Sequence, residues 1–164
     1  MAVDTSVIGA STGAWRIKVE RGPVENFARA VKDENPVFHD PAAAKAAGFD
    51  GIPVPPTFSF AWRTWGMFAE DQPPDPTGGR NVMGEVMGSL LANGGLILHG
   101  EQEFRYHRPV VTGDVLVGEG TVVDLYEREG KGYTMTFFVA EIVWRHEETG
   151  EPAITERMNL IHRS

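Results

Sequence analysis

The last third of the chain constrains its fold most. Residues 99–108, 115–128, 133–145 and 153–162 alternate in polarity and read as four strands. Gly130-Lys131-Gly132 turns the second into the third, and Glu148-Thr149-Gly150 turns the third into the fourth. Connections that short make antiparallel neighbours.

The first part has a different grammar. Trp15, Ile17 and Val19 alternate with polar neighbours, as in a short strand. Pro23 suits the first turn of a helix, and Val24, Phe27, Ala28 and Val31 then recur at helical spacing. Asn35-Pro36 ends that helix. Asp40 caps a short helix over 41–47, with Gly48 as its stop. Pro53, Pro55 and Pro56 stiffen the next loop, and Thr57 caps a helix running to about residue 68. That helix carries Phe58, Phe60, Trp62, Trp65 and Met67 and is apolar on nearly all sides, so it is expected to be buried. Residues 72–80 read as loop. Residues 82–97 are ambiguous: Met and Leu favour helix, whereas Gly84, Gly88, Gly94 and Gly95 weaken it. Helices early and strands late indicate an α+β fold, a long apolar helix wrapped by a curved antiparallel sheet. Such a sheet leaves an edge strand, and pairing edges across a dimer is one way to satisfy it. The 164 residues fit one domain over 1–164, with 1–14 expected to be a loosely ordered segment.

Composition narrows the function. The chain has no cysteine, which excludes disulfides, thiolate nucleophiles and cysteine-ligated zinc. A net charge of −8 disfavours contact with phosphate backbones, so no nucleic-acid partner is expected. The first residues lack a basic stretch followed by an apolar run, and no apolar stretch approaches the ~20 residues of a membrane helix. A cytoplasmic protein with no membrane partner is the resulting expectation. No spacing among the five histidines and nearby carboxylates suggests a metal site, and none is expected.

The chemistry-bearing segment is Asp33-Glu34-Asn35-Pro36-Val37-Phe38-His39-Asp40-Pro41. It resembles the hydratase signature Asp-x-Asn-Pro-x-His-x-Asp-Pro of the MaoC-like (R)-specific hydratases and dehydratases. The stretch from Leu98 to Pro109, followed by Gly113-Asp114, is similar to the strand and turn after the central helix in that family. Pro55-Pro56-Thr57-Phe58 matches its N-terminal-type dehydratase branch. The resemblance covers about residues 15–163 and implies a hot-dog fold acting on acyl thioesters of coenzyme A or a carrier protein, with no further cofactor. It also implies a dimer, either with itself or with a second hot-dog chain. In catalytic members the signature Asp and His hold the water that adds to an enoyl thioester, carboxylate as base and imidazole as proton donor. A backbone N–H at the start of the central helix holds the thioester oxygen.

This chain departs from that pattern twice. In ungapped register the Asp falls on Asp33, but the His falls on Phe38, which cannot move a proton. The oxyanion glycine falls on Pro56, which has no N–H. The resemblance then implies a substrate-holding subunit whose partner supplies Asp and His. Asn35, Phe38, Pro56, Thr57, Phe58, His99 and Gly100 are its expected substrate-binding residues, and Arg105 and Arg108 the expected anchors for the phosphates of the acyl carrier. The alternatives are a self-sufficient homodimeric hydratase using Asp33 and His39, a hot-dog thioesterase, or a non-enzymatic acyl-binding protein. A thioesterase would want a carboxylate on the central helix, and none precedes Glu70.

Overall fold

The computed structural model describes residues 3–65 and 67–164. Five strands form one antiparallel sheet in the order β1-β3-β4-β5-β2: β1 Ser11–Lys18, β2 Leu96–Tyr106, β3 Val115–Glu129, β4 Thr134–His146 and β5 Pro152–Arg163. The two glycine turns join β3 to β4 and β4 to β5. Four helices accompany the sheet: α1 Arg21–Ala30, α2 Pro41–Ala46, α3 Phe58–Trp65 and α4 Val82–Leu91.

The core has two parts. Trp62, Phe58, Ile17, Leu116, Trp144 and Ile154 pack between α3 and the sheet. Val82 and Met87 of α4 pack with Val122, Leu125 and Phe138. Trp62 of the central helix meets Trp144 of β4 edge-on, with ring centroids 4.9 Å apart. Trp144 is seated on a glycine: a Cβ at Gly118, its register partner on β3, would stand 2.5 Å from the indole. The small residue is what lets the large ring lie flat on the sheet.

Several boundaries differ from the sequence reading. The strand expected from Trp15 begins at Ser11, and Val7 before it is buried. Gly9 and Ala10 exchange backbone hydrogen bonds with Val122, which anchors that segment to β3. Helix α1 stops at Ala30, before Asn35-Pro36 is reached. Lys32 takes φ of 58°, and the N–H groups of Lys32 and Asp33 donate to the carbonyls of Arg29 and Ala28. That is a Schellman ending with lysine where glycine is usual. The helix expected over 57–68 runs only from Phe58 to Trp65, and Phe68 is already extended. It is not buried all round: Phe60 and Trp65 are 47% and 48% exposed. The ambiguous stretch 82–97 resolves into α4, then a turn through Gly94 and Gly95, both at positive φ, then the start of β2.

Candidate functional site

The loop after α1 is built by its own side chains. Asp33 Oδ1 accepts the Asn35 N–H at 3.0 Å, and Asn35 Oδ1 accepts the Val37 N–H at 3.2 Å. These Asx bonds start a single 3₁₀ turn over Pro36–Phe38. His39 follows. Its Nε2 lies 2.7 Å from the Asp33 carbonyl oxygen, to which it donates, and Arg21 Nη2 donates to the His39 carbonyl at 3.0 Å. Asp40 Oδ1 then accepts the Ala42 N–H at 2.9 Å and caps α2, as its place before Pro41 indicated.

The entrance of α3 is fixed from the other side. Val54 N–H donates to the Val110 carbonyl, and Pro53 bridges Val111. Thr57 adopts φ of 69° and donates its N–H to the Tyr106 hydroxyl at 3.1 Å. A β-branched residue in the left-handed region is a strained arrangement, of the kind that collects at functional sites.

Between loop and helix entrance lies a groove of about 530 Å³, within the range of small-molecule sites. Asn35, Phe38, Pro56, Tyr106, His107 and Arg108 line it over a floor of Val54, Val110 and Ile154. Arg108 is held by Glu151 at 2.7 Å, and His107 Nε2 lies 2.9 Å from Thr155 Oγ1. Among the described residues no carboxylate lines the groove.

The structure therefore divides the residues singled out in the sequence. Asn35, Phe38, Pro56 and Arg108 meet at the groove, with Thr57 at its rim. Asp33 and His39 touch each other but do not line it. Phe58 belongs to the core at 2% exposure, where it packs edge-on against Phe27 and Trp62. His99 stacks on Phe60 with centroids 5.3 Å apart, at the β2 bulge that contains Gly100. Arg105 is exposed on β2 and also does not line the groove. Tyr106 and His107 were missed. Their signal was their place at the end of β2, where the strand passes the α3 entrance.

The match to known proteins agrees with this architecture. Residues 6–156 fit the family model described as FAS1-like, dehydratase domain region. A UPF0336 protein of Streptomyces avermitilis is 31% identical over 100% of this chain and 97% of its own length. Among solved structures, the ChsH1-ChsH2 complex of Mycobacterium tuberculosis matches with a TM-score of 0.74 at 21% identity, over 93% of this chain and 83% of that one. The C-terminally truncated HadBC (3R-hydroxyacyl-ACP dehydratase) complex of the same organism matches with a TM-score of 0.68 at 22% identity, over 97% and 99%. The chain belongs to the FAS1-like dehydratase-region family and has the hot-dog fold of the MaoC-like hydratases and dehydratases.

Proposed function

We propose that this chain is the acyl-holding half of a two-chain hydro-lyase, which adds water to an enoyl thioester or removes it from a 3-hydroxyacyl thioester. A second hot-dog chain would supply the catalytic Asp and His. The observation that carries this reading is a groove of substrate size with no carboxylate among the described residues that line it. Hydration needs a base to take the proton from water. Asp33, the nearest match to that base, accepts the Asn35 N–H, His39 donates to the Asp33 carbonyl, and neither side chain lines the groove. The helix entrance offers Pro56 without an N–H and Thr57 with its N–H taken by Tyr106. What remains suits holding: an apolar floor, a phenol, and Arg108 for a phosphate or pantetheine arm.

A partner chain has a surface to meet. β2 is an edge strand whose Leu96, Leu98 and Tyr106 are 46–50% exposed, beside the exposed Phe60. Unpaired edge strands with exposed apolar side chains invite pairing. The HadBC and ChsH1-ChsH2 structures are complexes of two named subunits, which supports a heteromeric assembly here.

The experiment is an assay of the purified chain with crotonyl-CoA and longer enoyl-CoAs, alone and then with a hot-dog chain carrying an intact Asp-x-Asn-Pro-x-His. The expected result is turnover only with the partner present, unchanged by His39→Ala in this chain. Turnover by the chain alone that disappears with Asp33→Ala or His39→Ala would overturn the proposal in favour of a self-sufficient hydratase.

A further inference from the structure

The polar side chains that line the groove are Asn35, Tyr106, His107 and Arg108, and each has hydrogens to donate. Three are engaged by neighbours: Arg108 by Glu151, His107 by Thr155, and Asn35 through its Oδ1 by the Val37 N–H. Tyr106 is engaged in a different sense. Its hydroxyl oxygen accepts the Thr57 N–H at 3.1 Å. A hydroxyl that accepts on one side still has a hydrogen to give on another, and among the described residues no group takes it.

Two elements hold that hydroxyl in place. Tyr106 is the last residue of β2, and its ring stacks on Phe104 with centroids 6.2 Å apart and planes within 9°. Thr57, the residue before α3, keeps φ at 69° while its N–H is aimed at the phenol. A conformation that unfavourable for a β-branched residue persists only where its surroundings over-determine it. An N–H that donates to a hydroxyl also polarises it, so the hydroxyl becomes a better donor in turn. The groove therefore presents one reinforced donor at the mouth of the central helix.

We infer that Tyr106 is a catalytic residue of this chain: its hydroxyl, backed by the Thr57 N–H, donates to the thioester carbonyl oxygen while water adds. The inference rests on the acyl-holding reading above and deepens it by assigning that donor. When the oxygen of water bonds to C3 of the enoyl group, the electron pair of the double bond moves to C2 and onto the thioester oxygen. The proton from water goes to the partner's base, and a proton then returns to C2. Tyr106 keeps its own proton throughout and only shares it. Charge building on the thioester oxygen calls for a donor already in place. Pro56 has none, and the Thr57 N–H is turned to the phenol, so Tyr106 relays what the helix entrance does not present directly. Tyr106 also stands on the edge strand β2, the side from which a second chain would bring its water.

The test uses butanoyl-CoA carrying a carbon isotope label at the thioester carbonyl, a saturated ligand that cannot be hydrated. The infrared band of that carbonyl is read for ligand bound to the chain and to its two-chain complex, since a hydrogen bond weakens the C=O bond and lowers the band. The band should lie lower in wild type than in Tyr106→Phe, and Asn35→Ala should leave it in place. Replacing tyrosine throughout by fluorotyrosine, a stronger donor of nearly the same shape, should lower the band further in wild type but not in Tyr106→Phe, and decides the matter if Tyr106→Phe fails to fold. With crotonyl-CoA in the complex, Tyr106→Phe should reduce kcat about a hundredfold or more, the effect of losing one such donor, while KM stays within about threefold. A bound-ligand band that is the same in wild type and Tyr106→Phe, or that only Asn35→Ala moves, would overturn the inference even if kcat fell, and would leave the acyl-holding reading intact. If butanoyl-CoA binds neither the chain nor the complex, the acyl-holding reading falls and takes the inference with it.

Discussion

The His39 imidazole donates to the carbonyl of Asp33, six residues back, at 2.7 Å. Asp33 and His39, the pair that a self-sufficient hydratase would set to work on a water, are joined here through the backbone. The bond closes the loop that places Asn35 and Phe38 on the groove. His39→Ala removes one partly buried hydrogen bond, which costs about 1 kcal/mol. For a chain of this size that is a fall in Tm of about 2–4 °C. On the proposed acyl-holding reading no proton passes through His39, so in the two-chain complex the turnover number at saturating enoyl-CoA should stay within a factor of about two. Thermal unfolding and steady-state kinetics on the same variant separate the two roles.

Thr57 stores strain at the groove's rim. Its φ of 69° suits glycine and not a β-branched side chain, and such a residue costs about 1–3 kcal/mol. Thr57→Gly should therefore raise Tm, although glycine lowers stability at most other positions. Tyr106→Phe should act the other way by releasing the Thr57 N–H. If the strain serves to aim the helix entrance at the thioester, the stabilised Thr57→Gly variant will show a weaker KM for enoyl-CoA in the complex. A variant with unchanged Tm would show that the threonine sits there without cost.

The fold was legible because its signals are local. Alternation and glycine turns located β3, β4 and β5 to within a residue or two, and Asp40-Pro41 announced its cap. What could not be read was set by distant partners. Ser11 joins β1 because β3 offers Thr121 to pair with. The site was half legible for the same reason. Asn35, Phe38 and Pro56 lie in motifs, whereas Tyr106 and His107 reach the groove only because β2 runs past α3. The inward face of Glu156 was present in the alternation of β5, but a carboxylate on a core face contradicts the rule that makes such a face recognisable.

The buried Glu156 carboxyl should leave a mark on stability. Unfolded, it titrates near its ordinary 4.5; folded, burial raises that value, while Ser59, Arg63 and Trp144 oppose the rise without cancelling it. The folded state then holds the proton more tightly than the unfolded state. The contribution is fully present below about 4.5 and is lost as pH rises through the raised value. Arg63 stays charged throughout this window, and no other charged side chain among the described residues lines the small cavity that Glu156 and Arg63 share. Relative to Glu156→Gln, which cannot titrate, the wild-type chain should gain Tm on acidification across that window and stop gaining below it. The exposed pairs, such as Arg16 with Glu147, are common to both proteins and cancel in the difference. Parallel Tm-against-pH curves for the two would show that Glu156 is ionised in both states.

The β2 edge gives the partner reading its sharpest check. Leu96 and Leu98, two residues apart on one face of the edge strand β2, expose 47% and 46% of their surfaces. In the isolated chain a lysine at either site stays in water, so Leu98→Lys should leave the unfolding free energy within about 0.5 kcal/mol of wild type. Against a second hot-dog chain the same lysine must either lose its hydration or hold the edges apart. Truncating or charging a central apolar contact commonly costs more than 1 kcal/mol of association. Leu98→Lys should therefore weaken the complex at least about tenfold, whereas Lys131→Glu, at the turn between β3 and β4 and off the β2 edge, should not. Sedimentation velocity over a concentration series reads both the homodimer and the two-chain assembly. An unchanged dissociation constant for Leu98→Lys would move the interface off β2, and with it the side from which a partner's catalytic pair could reach the groove.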